Sequence, residues 1–161
     1  MALPVQSIRA KPEHRALLQA VAEMLRAGRE AEVRRLIEGG AGAPIGPFRS
    51  EQAAIYFMRD RLVSVLKPRM IWLFGSRARG DAQPDSDFDF LVVLKDGLPD
   101  EAYHAGVGEP AMRGTGLPYD VVPYAWSDFV TERARAGSLA ATVVAEGRLL
   151  YQDSDLRRAA A

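Results

Sequence analysis

The sequence predicts an α+β domain preceded by a helical extension. Helical periodicity alternates along the 161 residues with short apolar runs that have the length of strands. Hydrophobic residues make up 48% of the chain and charged residues 26%, a composition typical of globular proteins. No apolar run approaches the roughly 18 residues that a membrane span requires, so no membrane association is expected.

Composition also excludes several classes of site. The chain has no cysteine, which excludes a disulfide scaffold, a thiolate zinc site and a thiol nucleophile. Its two histidines, His14 and His104, are too far apart in sequence to suggest a histidine metal site. Basic and acidic residues both number 21, and this balance disfavours nucleic acid as a partner. The N-terminus lacks the apolar region of a signal peptide, so we expect a cytoplasmic protein.

The chain is predicted to divide into a helical extension, a main domain and a flexible tail, at residues 1–47, 48–152 and 153–161. Apolar residues recur at helical spacing over residues 12–38, and Gly28 leaves open whether they form one helix or two. Residues 39–47 are rich in glycine and proline and mark an internal boundary. About 40 residues are few for an independent domain, so we expect the extension to pack on the main domain or on a partner.

Two buried strands follow the first helix of the main domain. Ser50 is the predicted N-cap of that helix, and Pro68 ends it. Residues 70–74 are continuously apolar, which is typical of a strand buried on both faces. Residues 88–94 form a second strand, after a polar stretch that contains glycine.

The second half of the main domain contains two further strands and short helices. Residues 98–118 hold four glycines and three prolines, so any helix there must be short. Strands are predicted at residues 119–122 and 148–151. Ser127 and Ser138 are the predicted N-caps of two helices between these strands.

Three aspartates of the predicted strands form the first candidate site. Asp87 and Asp89 are two residues apart at the start of a strand, so both side chains leave the same face. Such a pair repels itself unless it binds protons or cations, and Mg²⁺ prefers carboxylate oxygens. If the strand that carries Asp120 lies beside this one, three carboxylates converge. That set suffices for two metal ions roughly 3.5–4 Å apart, as in phosphoryl transfer.

Gly75 and Ser76 form the second half of the candidate site. They follow a buried strand and are predicted to open a turn or a short helix. Glycine allows the backbone to approach a phosphate closely, and the serine hydroxyl and neighbouring N–H groups can donate to its oxygens. We expect Arg77 and Arg79 to reach further phosphate or substrate anions.

The spacing of these residues resembles a known signature. Gly75-Ser76, ten further residues and then Asp87-Phe88-Asp89 are similar to the motif of the polymerase-β-like nucleotidyltransferase superfamily. The variant Gly-Ser-Arg-Ala-Arg-Gly followed by Asp-Ser-Asp-Phe-Asp resembles its minimal nucleotidyltransferase branch. The resemblance covers about residues 50–152 and includes Asp120. It implies a small mixed β-sheet backed by helices.

The resemblance also implies a reaction. Two Mg²⁺ ions would be held by Asp87, Asp89 and Asp120, with the phosphates of a nucleoside triphosphate at Gly75 and Ser76. A nucleoside monophosphate, AMP from ATP, would pass to an acceptor hydroxyl, and Asp120 would be placed to act as the general base. Members that resemble this branch include antitoxins that adenylylate a helical HEPN-type toxin, and antibiotic-modifying enzymes.

The sequence does not identify the group that accepts the nucleotide. The extension and the glycine-broken segment 98–118 depart from the minimal pattern, and acceptor recognition usually lies outside the catalytic motif. The short chain slightly favours a protein partner that presents its own hydroxyl over an antibiotic. A second hypothesis is a non-catalytic module that binds nucleotide and neutralises a partner by contact. A polymerase is disfavoured, because the sequence shows neither a thumb-like region nor a basic excess.

Overall fold

The computed structural model of the protein describes residues 15–30, 33 and 44–159. The chain divides into two compact units, Met1–Gly42 and Ala43–Ala161. The division falls within the glycine- and proline-rich stretch that the sequence marks as an internal boundary. The second unit contains every strand among the described residues, together with the motif that starts at Gly75.

One helix, α1 at Arg15–Arg26, belongs to the first unit. Gly28 follows with a φ of 74°, a conformation that L side chains rarely adopt, and the chain leaves the helix there. The predicted helical extension is therefore confirmed for this stretch, with an interruption at the glycine. Residues 12–14, 31, 32 and 34–38 of the predicted stretch lie outside the described residues.

The second unit is built on one mixed sheet. In the described part of the chain, four strands form it: β1 Met70–Phe74, β2 Phe88–Leu94, β3 Tyr119–Ala125 and β4 Arg148–Gln152. Their order across the sheet is β3-β2-β1-β4. Strand β1 is antiparallel to both β2 and β4, whereas β2 and β3 are parallel. This confirms the small mixed sheet that the resemblance implies.

Strand β2 is apolar except at Asp89, as expected for a strand that is buried on both faces. Phe88, Phe90 and Val92 pack into a cluster on one face, whereas Leu91 and Val93 pack into a second cluster on the other. The first cluster is completed by helices α2 (Glu51–Leu66) and α4 (Glu109–Met112), and the second by α5 (Trp126–Glu132) and α6 (Leu139–Glu146). A short helix, α3 at Gly75–Arg79, follows β1.

Two of the three predicted helix caps are confirmed. The Ser50 hydroxyl accepts a hydrogen bond from the Ala53 N–H at 3.2 Å, and the Ser138 hydroxyl accepts one from the Ala141 N–H at 3.0 Å. Helix α2 ends at Lys67, which has a φ of 50° and directly precedes Pro68.

The predicted cap at Ser127 is wrong, because α5 already begins at Trp126. The Ser127 N–H and hydroxyl instead donate to the Asp96 carboxylate, at 2.9 and 3.0 Å. A carboxylate 31 positions away in sequence therefore satisfies the start of this helix. Strand β3 is also longer than predicted and continues through Pro123, which an edge strand tolerates.

Two segments that were expected to be irregular contain short helices. Between β2 and β3 these are a 3₁₀ turn at Asp100–Tyr103 and α4, in agreement with the prediction that any helix there is short. The expected tail contains α7 at Ser154–Ala159. The Asp153 carboxylate accepts from the Leu156 N–H at 2.8 Å, and Leu156 packs against the second cluster. None of the helices in the described ranges has the length and apolar character needed to cross a bilayer.

Phe90 tests the assignment of the core. It is fully buried and lies in register between Leu73 of β1 and Val121 of β3. We expect Phe90→Ala to lower the free energy of unfolding by about 3–5 kcal/mol, because it removes buried apolar contacts and leaves a cavity. Urea denaturation measures the loss. Leu149→Ala, at a side chain that is 40% exposed, is the control and should cost clearly less. Equal losses would contradict the assignment.

Candidate active site

Three carboxylates meet at one end of the sheet. Asp89 lies at the start of β2 and is in register with Phe74 of β1 on one side and with Asp120 of β3 on the other. Residues in register on parallel strands point to the same face, so the Asp89 and Asp120 side chains are neighbours. Asp87 lies two residues before Asp89 and is exposed, as is Asp120. The pairing of β2 with β3 therefore places Asp120 beside Asp89, and Asp87 directly precedes the same end of β2.

The pKa of Asp89 reflects the closeness of the other two carboxylates. Burial raises the pKa of Asp89 above its ordinary value, and the negative charges of Asp87 and Asp120 raise it further. Arg77 and Arg79 act in the opposite direction and lower the pKa of Asp89. The site thus holds an excess of negative charge that the two arginines offset in part, a condition that favours cation binding.

Gly75 makes room for the Asp89 carboxylate. It begins α3 directly after β1 and has a φ of 69°, which favours glycine. A Cβ atom at this position would overlap an Asp89 carboxylate oxygen and lie 3.1 Å from the Asp89 Cγ. The start of α3 and the head of β2 are therefore in direct contact, and only glycine fits between them.

Ser76 lies in the first turn of α3. Phe74, at the N-cap position, has no side-chain acceptor to satisfy the first N–H groups of this helix. The Ser76 carbonyl accepts from the Gly80 N–H at 2.8 Å, which closes the turn, and its side chain is half-buried. Gly75 thus places the start of α3 against the Asp89 carboxylate, and Ser76 follows it in the same turn.

The two arginines occupy different environments, although the sequence suggested one role for both. Arg79 is 47% exposed, and its Nε lies 3.2 Å from an Asp81 carboxylate oxygen. Arg77 is buried, and its guanidinium donates to backbone carbonyls before β2 and to Glu51. Arg79 therefore stays accessible to a bound anion, whereas the donors of Arg77 are directed into the protein.

The partner of Arg77 was not predicted from the sequence. It is Glu51, an acidic residue in the first turn of α2. It lies 26 positions from Arg77, and no local pattern connects the two residues. Only the tertiary structure identifies this ion pair.

The donor chemistry of the site fits Mg²⁺. This ion usually binds through one or two carboxylates and completes its shell with waters and substrate phosphates. The neighbouring Asp89 and Asp120 supply such a pair, and Asp87 supplies a third carboxylate at the same end of the sheet. Among the described residues, no group of three or more aspartate, glutamate, histidine or cysteine side chains is already arranged to hold a metal ion.

Comparison with known families identifies the domain. The profile described as "Nucleotidyltransferase domain" matches residues 58–147, which is more than half of the chain. The chain belongs to the nucleotidyltransferase domain family. The matched region contains the Gly75–Ser76 start of α3 and all three aspartates, so the family predicted from the motif is confirmed. The protein is therefore a transferase of nucleotidyl groups.

Solved structures similar to this nucleotidyltransferase include a toxin–antitoxin crystallised with AMP-PNP. That protein is 21% identical with a TM-score of 0.44, and the match covers 64% of this chain and 77% of the other. A protein of Sulfolobus solfataricus assigned as a nucleotidyltransferase is 23% identical, with coverage of 62% and 78% and a TM-score of 0.38. A mutant of the MntA–HpeT toxin–antitoxin is 21% identical, with coverage of 68% and 79% and a TM-score of 0.42. No curated protein matches the chain.

Gly75→Ala tests the contact between α3 and Asp89. Both the positive φ and the overlap with the carboxylate oppose a methyl group, so we expect loss of at least about 2 kcal/mol of stability and a severe loss of nucleotidyl transfer. Gly97→Ala is the matched control, because φ is 78° there and nothing lies within 4 Å of the added Cβ. The control should lose about 1–2 kcal/mol and keep its activity. Similar behaviour of both variants would contradict the contact.

Asp89→Asn tests the crowding of the carboxylates. Because its pKa is raised, Asp89 binds a proton more tightly in the folded protein than in the unfolded chain. The ionised form therefore destabilises the metal-free fold at pH 7, and this cost disappears as the pH falls through the raised pKa. We expect Asp89→Asn to raise the Tm at pH 7, with a gain that shrinks towards acid pH.

Calorimetry between pH 4 and 8, in the presence of EDTA, measures this gain. Asp85→Asn is the control, since Asp85 is an exposed residue of the loop before β2. Its Tm should equal that of the wild type at every pH. A Tm for Asp89→Asn at or below that of the wild type at pH 7 would contradict the account.

Proposed function

We propose that this nucleotidyltransferase transfers AMP from ATP to an acceptor hydroxyl and releases pyrophosphate. One observation carries the proposal: Asp89 lies in register with Asp120 and directly against Gly75. Negative ligands for a cation and donors for a triphosphate are therefore adjacent at one end of the sheet. The family membership supplies the class of reaction.

Asp87, Asp89 and Asp120 would hold Mg²⁺, with two ions as the resemblance to the superfamily implies. When bound, Mg²⁺ neutralises the charge of the triphosphate and of these carboxylates. The Ser76 hydroxyl and the N–H groups at the start of α3 would donate to phosphate oxygens. Arg79 is the arginine with an exposed side chain at this site, so we assign the remaining phosphate contact to it.

Asp120 is the proposed general base. It is exposed, and it lies on β3 at the edge of the sheet. The acceptor hydroxyl gives its proton to the Asp120 carboxylate as its oxygen bonds to the α-phosphorus. The bond between the α-phosphorus and the bridging oxygen breaks, and pyrophosphate leaves with that electron pair.

We propose a protein hydroxyl as the acceptor, in a HEPN-type toxin partner. The support is the resemblance of the Gly75–Asp89 motif to the minimal nucleotidyltransferase branch. In addition, the second unit, within the described residues, consists of a single sheet with its flanking helices. A partner would therefore carry its own acceptor to the exposed Asp120.

Labelled ATP tests the proposed transfer. The protein is incubated with α-³²P-ATP, Mg²⁺ and the product of the neighbouring gene, and covalent label is measured on the partner. We expect label on the partner that disappears when EDTA is added. A stable complex without label would instead support neutralisation by contact, and label transferred to an aminoglycoside antibiotic would indicate a small-molecule acceptor.

Substitution of the aspartates tests the assigned residues. We expect Asp87→Asn and Asp120→Asn each to lower the rate of transfer by at least about a hundredfold, because the loss of a residue that merely orients a metal ligand already costs 10–100-fold. Circular dichroism should show that both variants remain folded, since both side chains are exposed. Asp85→Asn is the matched control and should transfer at the wild-type rate. Wild-type transfer by Asp87→Asn or Asp120→Asn would refute the assignment.

A further inference from the structure

Arg77 is a buried charge at the edge of the proposed site. Its side chain is 2% exposed, and no other charged residue in the described ranges is buried to this degree. Removing a guanidinium from water is costly unless hydrogen bonds and an opposite charge replace the lost solvent. The hydrogen-bond partners of Arg77 therefore show which part of the structure the buried guanidinium stabilises.

Most of these partners are backbone carbonyls of the segment that precedes β2. The Arg77 Nε donates to the carbonyl oxygens of Ser86 at 3.1 Å and of Asp87 at 3.2 Å. Its Nη2 donates to the Ser86 carbonyl and, at 3.4 Å, to the Pro84 carbonyl. One side chain thus binds three backbone carbonyls, of Pro84, Ser86 and Asp87, in the loop that leads into β2 and carries the first aspartate.

The other contacts fix the guanidinium itself. Its Nη1 lies 3.0 Å from a Glu51 carboxylate oxygen, at the start of α2. Its Cζ lies 3.9 Å from the centre of the Phe88 ring, at the start of β2. The orientation of the guanidinium is therefore fixed by the Phe88 ring against its face and by the ion pair with Glu51 at Nη1.

We infer that Arg77 is a positioning residue for Asp87. The Asp87 side chain is exposed and the residue precedes the strand, so core packing does not fix its carboxylate. The Arg77 contact to the Asp87 carbonyl fixes its backbone instead and sets its side chain beside Asp89. This inference rests on the proposed function, because it takes Asp87 as a metal ligand.

The geometry requires arginine and not merely a positive charge. Lysine carries one ammonium group, which cannot donate in a plane to the Ser86, Asp87 and Pro84 carbonyls while also contacting Glu51. The Glu51 side chain is 44% exposed, so solvent screens its share of the interaction. The carbonyl contacts should therefore matter more for the site than the ion pair does.

Metal binding in Arg77→Lys tests the inference. Mn²⁺ titrations followed by electron paramagnetic resonance, with a non-hydrolysable ATP analogue present, give the affinity without turnover. We expect Arg77→Lys to weaken Mn²⁺ binding about 10–100-fold, the range typical of outer-shell changes, and to lower kcat more than it changes the KM for ATP. Glu51→Gln keeps the carbonyl contacts and is the matched control, with a change of less than about threefold.

The outcomes separate this inference from the proposed function. If Asp87→Asn weakens Mn²⁺ binding but folded Arg77→Lys binds as the wild type does, the positioning role is overturned and the metal assignment survives. If Asp87→Asn also binds Mn²⁺ normally, both are overturned. A loss of Tm in Arg77→Lys with wild-type affinity in the folded protein would indicate a role in stability alone.

Hydrogen–deuterium exchange of the wild type gives a readout that does not depend on the folding of any variant. If Arg77 holds the loop before metal binds, the amides of residues 85–87 should exchange slowly in the metal-free protein, at rates closer to those of β2 than to those of the exposed loop around Gly97. Exchange as fast as that of the Gly97 loop would overturn the inference.

Discussion

The close contact between the Asp89 carboxylate and the backbone of Gly75 is the constraint on which the site depends. Asp89 occupies the start of a central strand, with Asp120 beside it on β3 and the start of α3 against it. A side chain at position 75 would displace this carboxylate, and a shift in the register of β2 would turn it to the opposite face. Gly75, directly after β1, and Asp89, at the start of β2, are therefore parts of one arrangement. In it, carboxylates that can bind a cation lie next to backbone groups that can donate to a phosphate.

The rest of the fold makes this arrangement rigid at a cost in stability. Strand β2 is buried on both faces by two apolar clusters, so the position of Asp89 is determined by a strand that is packed on both sides. Burial and the charges of Asp87 and Asp120 oppose the ionisation of Asp89. The ionised carboxylate is the form that binds a cation. Gathering like charges costs free energy in the empty site, and a bound ligand of opposite charge offsets this cost. Such an arrangement is common at functional sites.

Local patterns predicted most of the elements and the identity of the three aspartates. The apolar runs of β1 and β2 and the caps at Ser50 and Ser138 depend on neighbouring residues, so they can be read from sequence.

Contacts between distant segments could not be predicted. Ser127 looked like a cap because serine often is one, but Asp96 takes that role from 31 positions away. The sequence offered the pairing of the Asp120 strand with the Asp89 strand only as a condition, since no residue pattern specifies which strands are neighbours. Arg77 was predicted to reach a phosphate, and its burial among backbone carbonyls could not be read from the sequence.

The central claim is that the aspartates at the head of β2 and on β3 bind the metal of a metal–nucleotide complex whose phosphates lie at Gly75 and Ser76. The most direct measurement is an anomalous difference map from crystals grown with Mn²⁺ and a non-hydrolysable ATP analogue. The account predicts a manganese peak within ligand distance of Asp89 and Asp120, with the triphosphate against the start of α3. A nucleotide bound elsewhere, or a manganese peak without contact to either aspartate, would contradict it.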